Sequence, residues 1–292
     1  MNTLVLVHRH QLLDQWRERL SVYLDLPSDG IGYVGGGKEK RTKVIDVASI
    51  QSLQRKGVVK DLVADYGQVI VDECHHLSAF SFEQVMRQVK ARYVLGLTAT
   101  PVRKDGHQPI IHMQCGPIIY ALHPKKAMES SPFEHKVLPR STDFQAPSET
   151  ESPTIQELYA AIATDQPRNA LIADDIVAAA NSGRTPLVLT GRTEHLKCLQ
   201  LALTGRIKNL FVLRGGMGKK QRAKAAGEIS AVPLHEPRVI LATGSYIGEG
   251  FDDPRLDTLF LAAPISWRGT LQQYVGRLHR LHEGKRVVQV YD

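Results

Sequence analysis

Two adjacent carboxylates close an apolar run at Val69-Ile70-Val71-Asp72-Glu73-Cys74-His75-His76. A buried parallel strand delivers its last side chains to the carboxyl edge of its sheet, where α/β proteins bind ligands. An acid pair at that edge suits phosphate chemistry. Asp72 can hold a Mg²⁺, directly or through water, while Glu73 takes a proton from the water attacking a phosphate. An isolated Asp-Glu at a strand end is more often just solvated, so its companions along the chain decide the reading.

Three other groupings bear on chemistry. Thr98-Ala99-Thr100 ends a second apolar run, where the hydroxyls alone would read as strand-end caps. Arg277 and Arg280 lie three apart, a spacing that on a helix sends both guanidiniums from one face, toward a ligand or into surface ion pairs. His107, His112 and Cys115 lack a fourth close ligand and make no zinc site. The runs Lys38-Glu39-Lys40-Arg41 and Lys219-Lys220-Gln221-Arg222 are solvated by default.

The elements that must position these residues alternate between short apolar runs and helical stripes, the pattern of mostly parallel sheets. Strands are expected at 4–7, 44–48, 69–71 and 93–97, and later at 136–138, 187–189, 210–213, 239–242, 258–261 and 287–291. Leu13, Trp16 and Leu20 share one helix face, and Phe82, Val85, Met86 and Val89 form an i, i+3, i+4, i+7 stripe. Ser81 with Gln84 is expected to cap that second helix. Further helix faces are Ile155, Leu158, Tyr159 and Ile162; Leu196, Leu199 and Leu203; and Leu271, Tyr274, Val275 and Leu278. Between 124 and 153, Pro and Ser punctuate the chain and mark the passage from one α/β domain to another.

Composition sets outer bounds. At 292 residues, 42% hydrophobic and 23% charged, the chain suits two compact domains. Lys and Arg exceed Asp and Glu by 37 to 30, which permits a polyanionic partner without establishing one. The three cysteines are scattered and fit a reducing, cytoplasmic setting. Residues 4–7 are apolar, but Arg9, Asp14 and Arg17 follow too soon for a signal peptide or a membrane span.

Taken in order, these residues resemble the motifs of superfamily 2 helicases. Asp72-Glu73-Cys74-His75 is similar to their Walker B motif, and Thr98-Ala99-Thr100 to motif III. The stretch from Thr243 through Gly248, Gly250 and Phe251 to Asp252 resembles motif V. Gln273-Tyr274-Val275-Gly276-Arg277-Leu278-His279-Arg280 matches the motif VI pattern Q-x-x-G-R-x-x-R. His8-Arg9 resembles motif Ia, Ile50-Gln51-Ser52-Leu53 the next nucleic-acid motif, and Thr190-Gly191-Arg192 motif IV. The DECHH and Gly-Glu-Gly-Phe-Asp phrases lie nearer the XPB-like and restriction-enzyme-like DNA motors than the DEAD-box RNA proteins.

The resemblance implies an α/β fold of two RecA-like domains with mostly parallel sheets, the first incomplete at its N-terminus. Residues 1–128 would carry motifs Ia, II and III, and residues 129–292 motifs IV, V and VI. It implies an ATP-dependent helicase or translocase using ATP and Mg²⁺ on nucleic acid, DNA in preference to RNA. Glu73 would be the general base, with Arg277 and Arg280 as arginine fingers worth about 10³–10⁵ in rate. Asp72, as the Mg²⁺ ligand, with His75, Gly250, Asp252 and Gln273 would contact the nucleotide, and Thr98 and Thr100 would couple the domains. Arg9, Gln51, Arg103, Arg192 and Thr243 would contact nucleic acid, mainly at phosphates, since a motor must ignore sequence.

The family's phosphate-binding loop should precede motif Ia, which here begins at residue 4. Gly32-Tyr33-Val34-Gly35-Gly36-Gly37-Lys38-Glu39 fits G-x-x-x-x-G-K, but Glu39 replaces the Mg²⁺-binding hydroxyl and no helix follows; it is expected to be a loop. The chain is therefore expected to be a piece of a larger protein with flanking segments, and to hydrolyse ATP poorly by itself. A missing central strand would leave an exposed apolar groove or a rearranged sheet. The alternative reading is a nucleic-acid-binding module without turnover. A restriction-complex motor subunit would differ only outside this chain.

Overall fold

The computed structural model describes residues 1–55, 57–75, 80–99, 108–122, 131–146, 153–247, 251, 253–265 and 268–292. The chain divides into two compact units, Met1–His123 and Pro124–Asp292.

The first unit contains β1 (Thr3–Val7), α1 (His10–Tyr23), β2 (Gly32–Gly35), β3 (Lys38–Lys40), β4 (Ile45–Ser49) and α2 (Ile50–Leu53). After these come the short β5 (Gln54–Arg55) and β6 (Val58–Val59), then β7 (Gln68–Asp72), α3 (Phe80–Gln88), β8 (Tyr93–Leu97) and α4 (Gln108–Cys115). The main sheet runs β3-β2-β4-β1-β7-β8, parallel throughout except at β3. Leu4 and Leu6 pack on one face while Val5 and Val7 pack on the other. Burial on both faces explains why β1 reads as an unbroken apolar run and not as an alternation. At one end of the sheet β8 leaves Tyr93 and Leu97 exposed.

Two local expectations fail here. The Gly32–Glu39 stretch is not a loop: β2 and β3 form an antiparallel hairpin that turns through Gly36 and Gly37, both at positive φ. Parallel pairing of β2 with β4 draws this glycine-rich segment into the sheet despite its weak strand propensity. Ser81 is not the cap of α3, which already includes Phe80, and the Gln84 side chain accepts a hydrogen bond from Gln54 instead. Phe82, Val85 and Met86 are the buried face of this helix.

The second unit contains β9 (Glu134–Leu138), α5 (Ile155–Thr164), α6 (Gln166–Asn181), β10 (Pro186–Thr190), α7 (Thr193–Leu203) and β11 (Asn209–Leu213). It continues with α8 (Lys219–Ala231), β12 (Arg238–Thr243), α9 (Gly244–Ile247), β13 (Thr258–Leu261), α10 (Arg268–Leu278) and β14 (Val287–Tyr291). Its sheet, β11-β12-β10-β13-β14-β9, is parallel throughout. Leu187, Leu189 and Ile240 face one core; Val188, Val239 and Leu241 face the other. Both units are therefore α/β layers around a buried parallel sheet, the architecture of RecA-like domains. Among the described residues no helix is long and apolar enough to cross a membrane.

Candidate active site

In the first unit the ends of β1, β7 and β8 share one edge, because Leu6 pairs with Val71 and Asp72 with Leu97. That register brings Asp72, Glu73, His75 and Thr98 together. The backbone at Glu73 turns left-handed, with φ at 49°. For a residue with a Cβ this costs about 1–2 kcal/mol, a strain that turns the chain sharply just past β7. His75 Nδ1 lies 3.2 Å from Glu73 Oε2 and 2.9 Å from Thr98 Oγ1. That ring nitrogen lies between the hydroxyl and the carboxylate. One imidazole thus ties the end of β7 to the end of β8.

Asp72 is held from two sides. Its Oδ1 accepts the Glu73 N–H at 3.0 Å, and its Oδ2 accepts the Trp16 indole N–H at 2.7 Å. Burial raises its carboxyl above the ordinary value, and the Trp16 hydrogen bond only partly opposes that. A partly buried, single, hard oxygen donor fits Mg²⁺, which keeps most of its waters and takes its remaining ligands from substrate phosphates. Among the described residues no cluster of three His, Cys, Asp or Glu offers a closed metal cage.

His8 belongs to the same neighbourhood, although only its neighbour Arg9 stood out in the sequence. Burial, and after it the Arg9 guanidinium, pushes the His8 imidazole down to about 4, while Glu73 pulls the other way. Gln51 Nε2 donates to the His8 carbonyl at 2.5 Å, so the two motifs expected to touch nucleic acid meet. Arg9 is exposed at the N-cap of α1. Sequence reasoning also missed Trp16 as a partner of Asp72. The available signal was a bulky indole on the buried face of α1, whose N–H needs an acceptor.

The second unit assembles its own set. Thr190 ends β10 and opens a one-way hydrogen-bond chain. The Asn169 amide donates to Ala163 O at 3.0 Å, which turns its oxygen toward His195. His195 Nε2–H then donates to that oxygen at 2.8 Å, and Nδ1 accepts the Thr190 hydroxyl at 2.9 Å. The Thr190 oxygen in turn accepts the Arg192 N–H at 3.4 Å. These directions require neutral His195, and burial together with Arg168 lowers it to about 4. Arg192 itself donates to Gln156 O at 2.8 Å and to Gln156 Oε1 at 3.0 Å.

Thr243 ends β12, buried, with its hydroxyl accepting the Gly215 N–H at 3.1 Å. A Cβ on Gly244 would overlap the Tyr274 hydroxyl, so motifs V and VI pack against one another inside this unit. Just past motif V, both Asp253 oxygens accept from the buried Arg238 Nη2, and Arg238 Nη1 donates to Ile229 O at 2.7 Å. Gln273 and Arg277 lie on α10, partly buried. Arg280 does not continue that helix, which ends at Leu278, so the expected common helical face is not formed. The Lys285 ammonium causes the stop by donating to Leu278 O at 2.9 Å, Arg280 O at 2.7 Å and Pro254 O at 2.7 Å. Between the arginines, His279 Nδ1–H donates to Val275 O at 3.0 Å and Nε2 accepts from His135 Nε2 at 2.7 Å. Thr100, Arg103, Gly250 and Asp252 lie outside the described residues.

Comparison with known proteins finds similarity to helicases and restriction-enzyme subunits. Residues 1–103 match the family model "Type III restriction enzyme, res subunit". "Probable helicase D10" of Escherichia phage T5 is 27% identical over 287 residues, covering 97% of this chain and 60% of the relative. "DNA 3'-5' translocase XPB2" of Sulfurisphaera tokodaii is 35% identical over 118 residues, or 40% of this chain and 26% of the relative. Among solved structures, an HsdR-subunit fragment of a type I restriction enzyme from Vibrio vulnificus YJ016 shares the fold. Its TM-score is 0.68 at 20% identity, covering 100% of this chain and 52% of that one. The chain thus spans 60% of the length of the phage relative and less of the archaeal one.

Proposed function

This chain belongs to the superfamily 2 helicases, and from that premise we propose that it couples ATP hydrolysis to movement along nucleic acid, DNA in preference to RNA. The observation that carries the proposal is the convergence of Asp72, Glu73, His75 and Thr98 on one sheet edge. In this reading the Glu73 carboxylate accepts the proton of the attacking water, and the His75 imidazole keeps that carboxylate aimed. Asp72 would hold Mg²⁺, which when bound neutralises phosphate charge. Arg277 and Arg280 neutralise charge that builds as the terminal phosphate leaves, and Gln273, Gly250 and Asp252 support the nucleotide. Arg9, Gln51, Arg103, Arg192 and Thr243 bind the nucleic-acid strand. Thr98, joined to Glu73 through His75, and Thr100 pass the nucleotide state onward.

The test is DNA-stimulated phosphate release by Glu73→Gln in a protein that carries the phosphate-binding loop, beside the same protein unaltered. A fall of about 10²–10⁴ is expected for loss of a general base, and undiminished release would sink the assignment.

A second reading has its own observation. The G-x-x-x-x-G-K stretch folds as the β2–β3 hairpin, with no helix N-terminus to receive a phosphate. On that reading the 292-residue chain binds nucleic acid without turnover. Calorimetric titration with Mg²⁺-ATP separates the two, since micromolar binding supports the motor and no heat supports the binding module.

A further inference from the structure

The cysteines look scattered in sequence, yet two of them meet in space. Cys74 follows Glu73 in the acidic turn, and Cys115 is the last residue of α4. Both sulfurs sit 3.0 Å from the point where a Cβ would stand on Gly96, the next-to-last residue of β8. The two thiols therefore line the same small space beside that strand. A glycine inside a strand weakens it unless something fills the space, and here two thiol side chains do.

From this geometry we propose that Cys74 and Cys115 form an intramolecular disulfide when the protein meets a peroxide. With both sulfurs 3.0 Å from one point, only a short gap separates them from a bond of about 2.05 Å. Cys115 has room to make that movement: it stands at a helix end, and Gly116 at φ 79° turns the chain away just after it. It is also the more exposed of the two. One of the two sulfurs, as its thiolate, attacks one peroxide oxygen, giving a sulfenic acid and, with the proton it released, one water. The other sulfur then displaces the hydroxyl of that sulfenic acid as a second water. Two thiols lose two electrons and two protons, and the peroxide is reduced to two waters.

Such a bond fastens α4 to the residue after Glu73. Its effect on catalysis rests on the role given to Glu73 above, whereas the formation of the bond does not, so the two ideas fail separately. The experiment treats the full chain with hydrogen peroxide, then counts thiols in denaturant and maps peptides without reductant. Thiols should fall from three to one and return to three with dithiothreitol, with Cys198 left free. The peptides bearing Cys74 and Cys115 should be joined within monomers. Cys115→Ser, altered only at a helix end, should abolish the joined peptide. Gly96→Ala, which displaces both sulfurs, should lower its yield. Three thiols persisting under peroxide that oxidises free cysteine would overturn the proposal. So would loss confined to Cys198, sulfinic acid at Cys115 without a link, or links only between chains.

Discussion

The Trp16 indole N–H donates to the Asp72 carboxylate at 2.7 Å, so a residue from the first helix fixes the acid at the end of the fourth parallel strand in chain order. Trp16→Phe keeps most of the ring and removes the donor. It should lower stability by about 1–3 kcal/mol in urea unfolding, because a partly buried charged acceptor is left short of a partner. In an Asp72→Asn background the same change should cost less. Equal costs in both backgrounds would show that the indole acts by packing alone.

The left-handed backbone at Glu73 allows strain to be separated from chemistry. Glu73→Gly and Glu73→Ala both remove the carboxylate, but only glycine accepts that backbone without strain. The glycine variant should be the more stable of the two by about 1 kcal/mol, although both lose hydrolysis. An alanine variant of equal stability would place the strain elsewhere.

Acid should destabilise the protein through its buried neutral histidines. His195 is held down to about 4 against an ordinary 6.5, with burial the leading cause. A folded value below the unfolded one means that its contribution is complete above pH 6.5 and is lost as pH falls from 6.5 toward 4. The slope is about 1.4 kcal/mol per pH unit, reaching about 3 kcal/mol. His8 adds a loss over the same window, for the same leading cause. Denaturation at a series of pH values should show His195→Gln with a shallower decline than the unaltered protein. Parallel curves would contradict a neutral buried His195.

Asp253 and Arg238 form a pair in which the arginine is 2% exposed. Breaking it from one side leaves a buried charge, so Asp253→Ala should cost about 3–5 kcal/mol. Replacing both with apolar residues, as in Arg238→Met with Asp253→Leu, should cost less than the single change. Thermal unfolding of the two variants decides between them.

Arg277→Lys keeps the charge and loses the planar fork. If the guanidinium serves the nucleotide, phosphate release should fall by at least tenfold at unchanged stability. Full activity in the lysine variant would assign Arg277 to the surface.

Much of this framework is legible in the chain because parallel strands buried on both faces leave apolar runs that no turn interrupts. Tyr93–Leu97, Thr258–Leu261 and Val287–Tyr291 lie where the pattern puts them. The β2–β3 hairpin is not legible: its glycines and lysines carry no strand signal, and pairing with β4 decides its state. The helix α6 hides for a different reason. Its buried face consists largely of alanines, with Ala173, Ala179 and Ala180 beside Ile176, which contrast little with the polar face. In the site, Asp72, Glu73, His75 and Thr98 stand out by order and spacing. Trp16 and His195 do not, because what they do depends on strands and helices far away in sequence.

The clearance between Gly244 and Tyr274 also bears on inheritance. A larger residue at 244 meets the Tyr274 hydroxyl, and a smaller one at 274 opens a gap above 244, so neither position drifts independently. Variation at these two sites should arrive in descendants as a compensated pair, a dependence that a collection of related genes would display before any variant was purified.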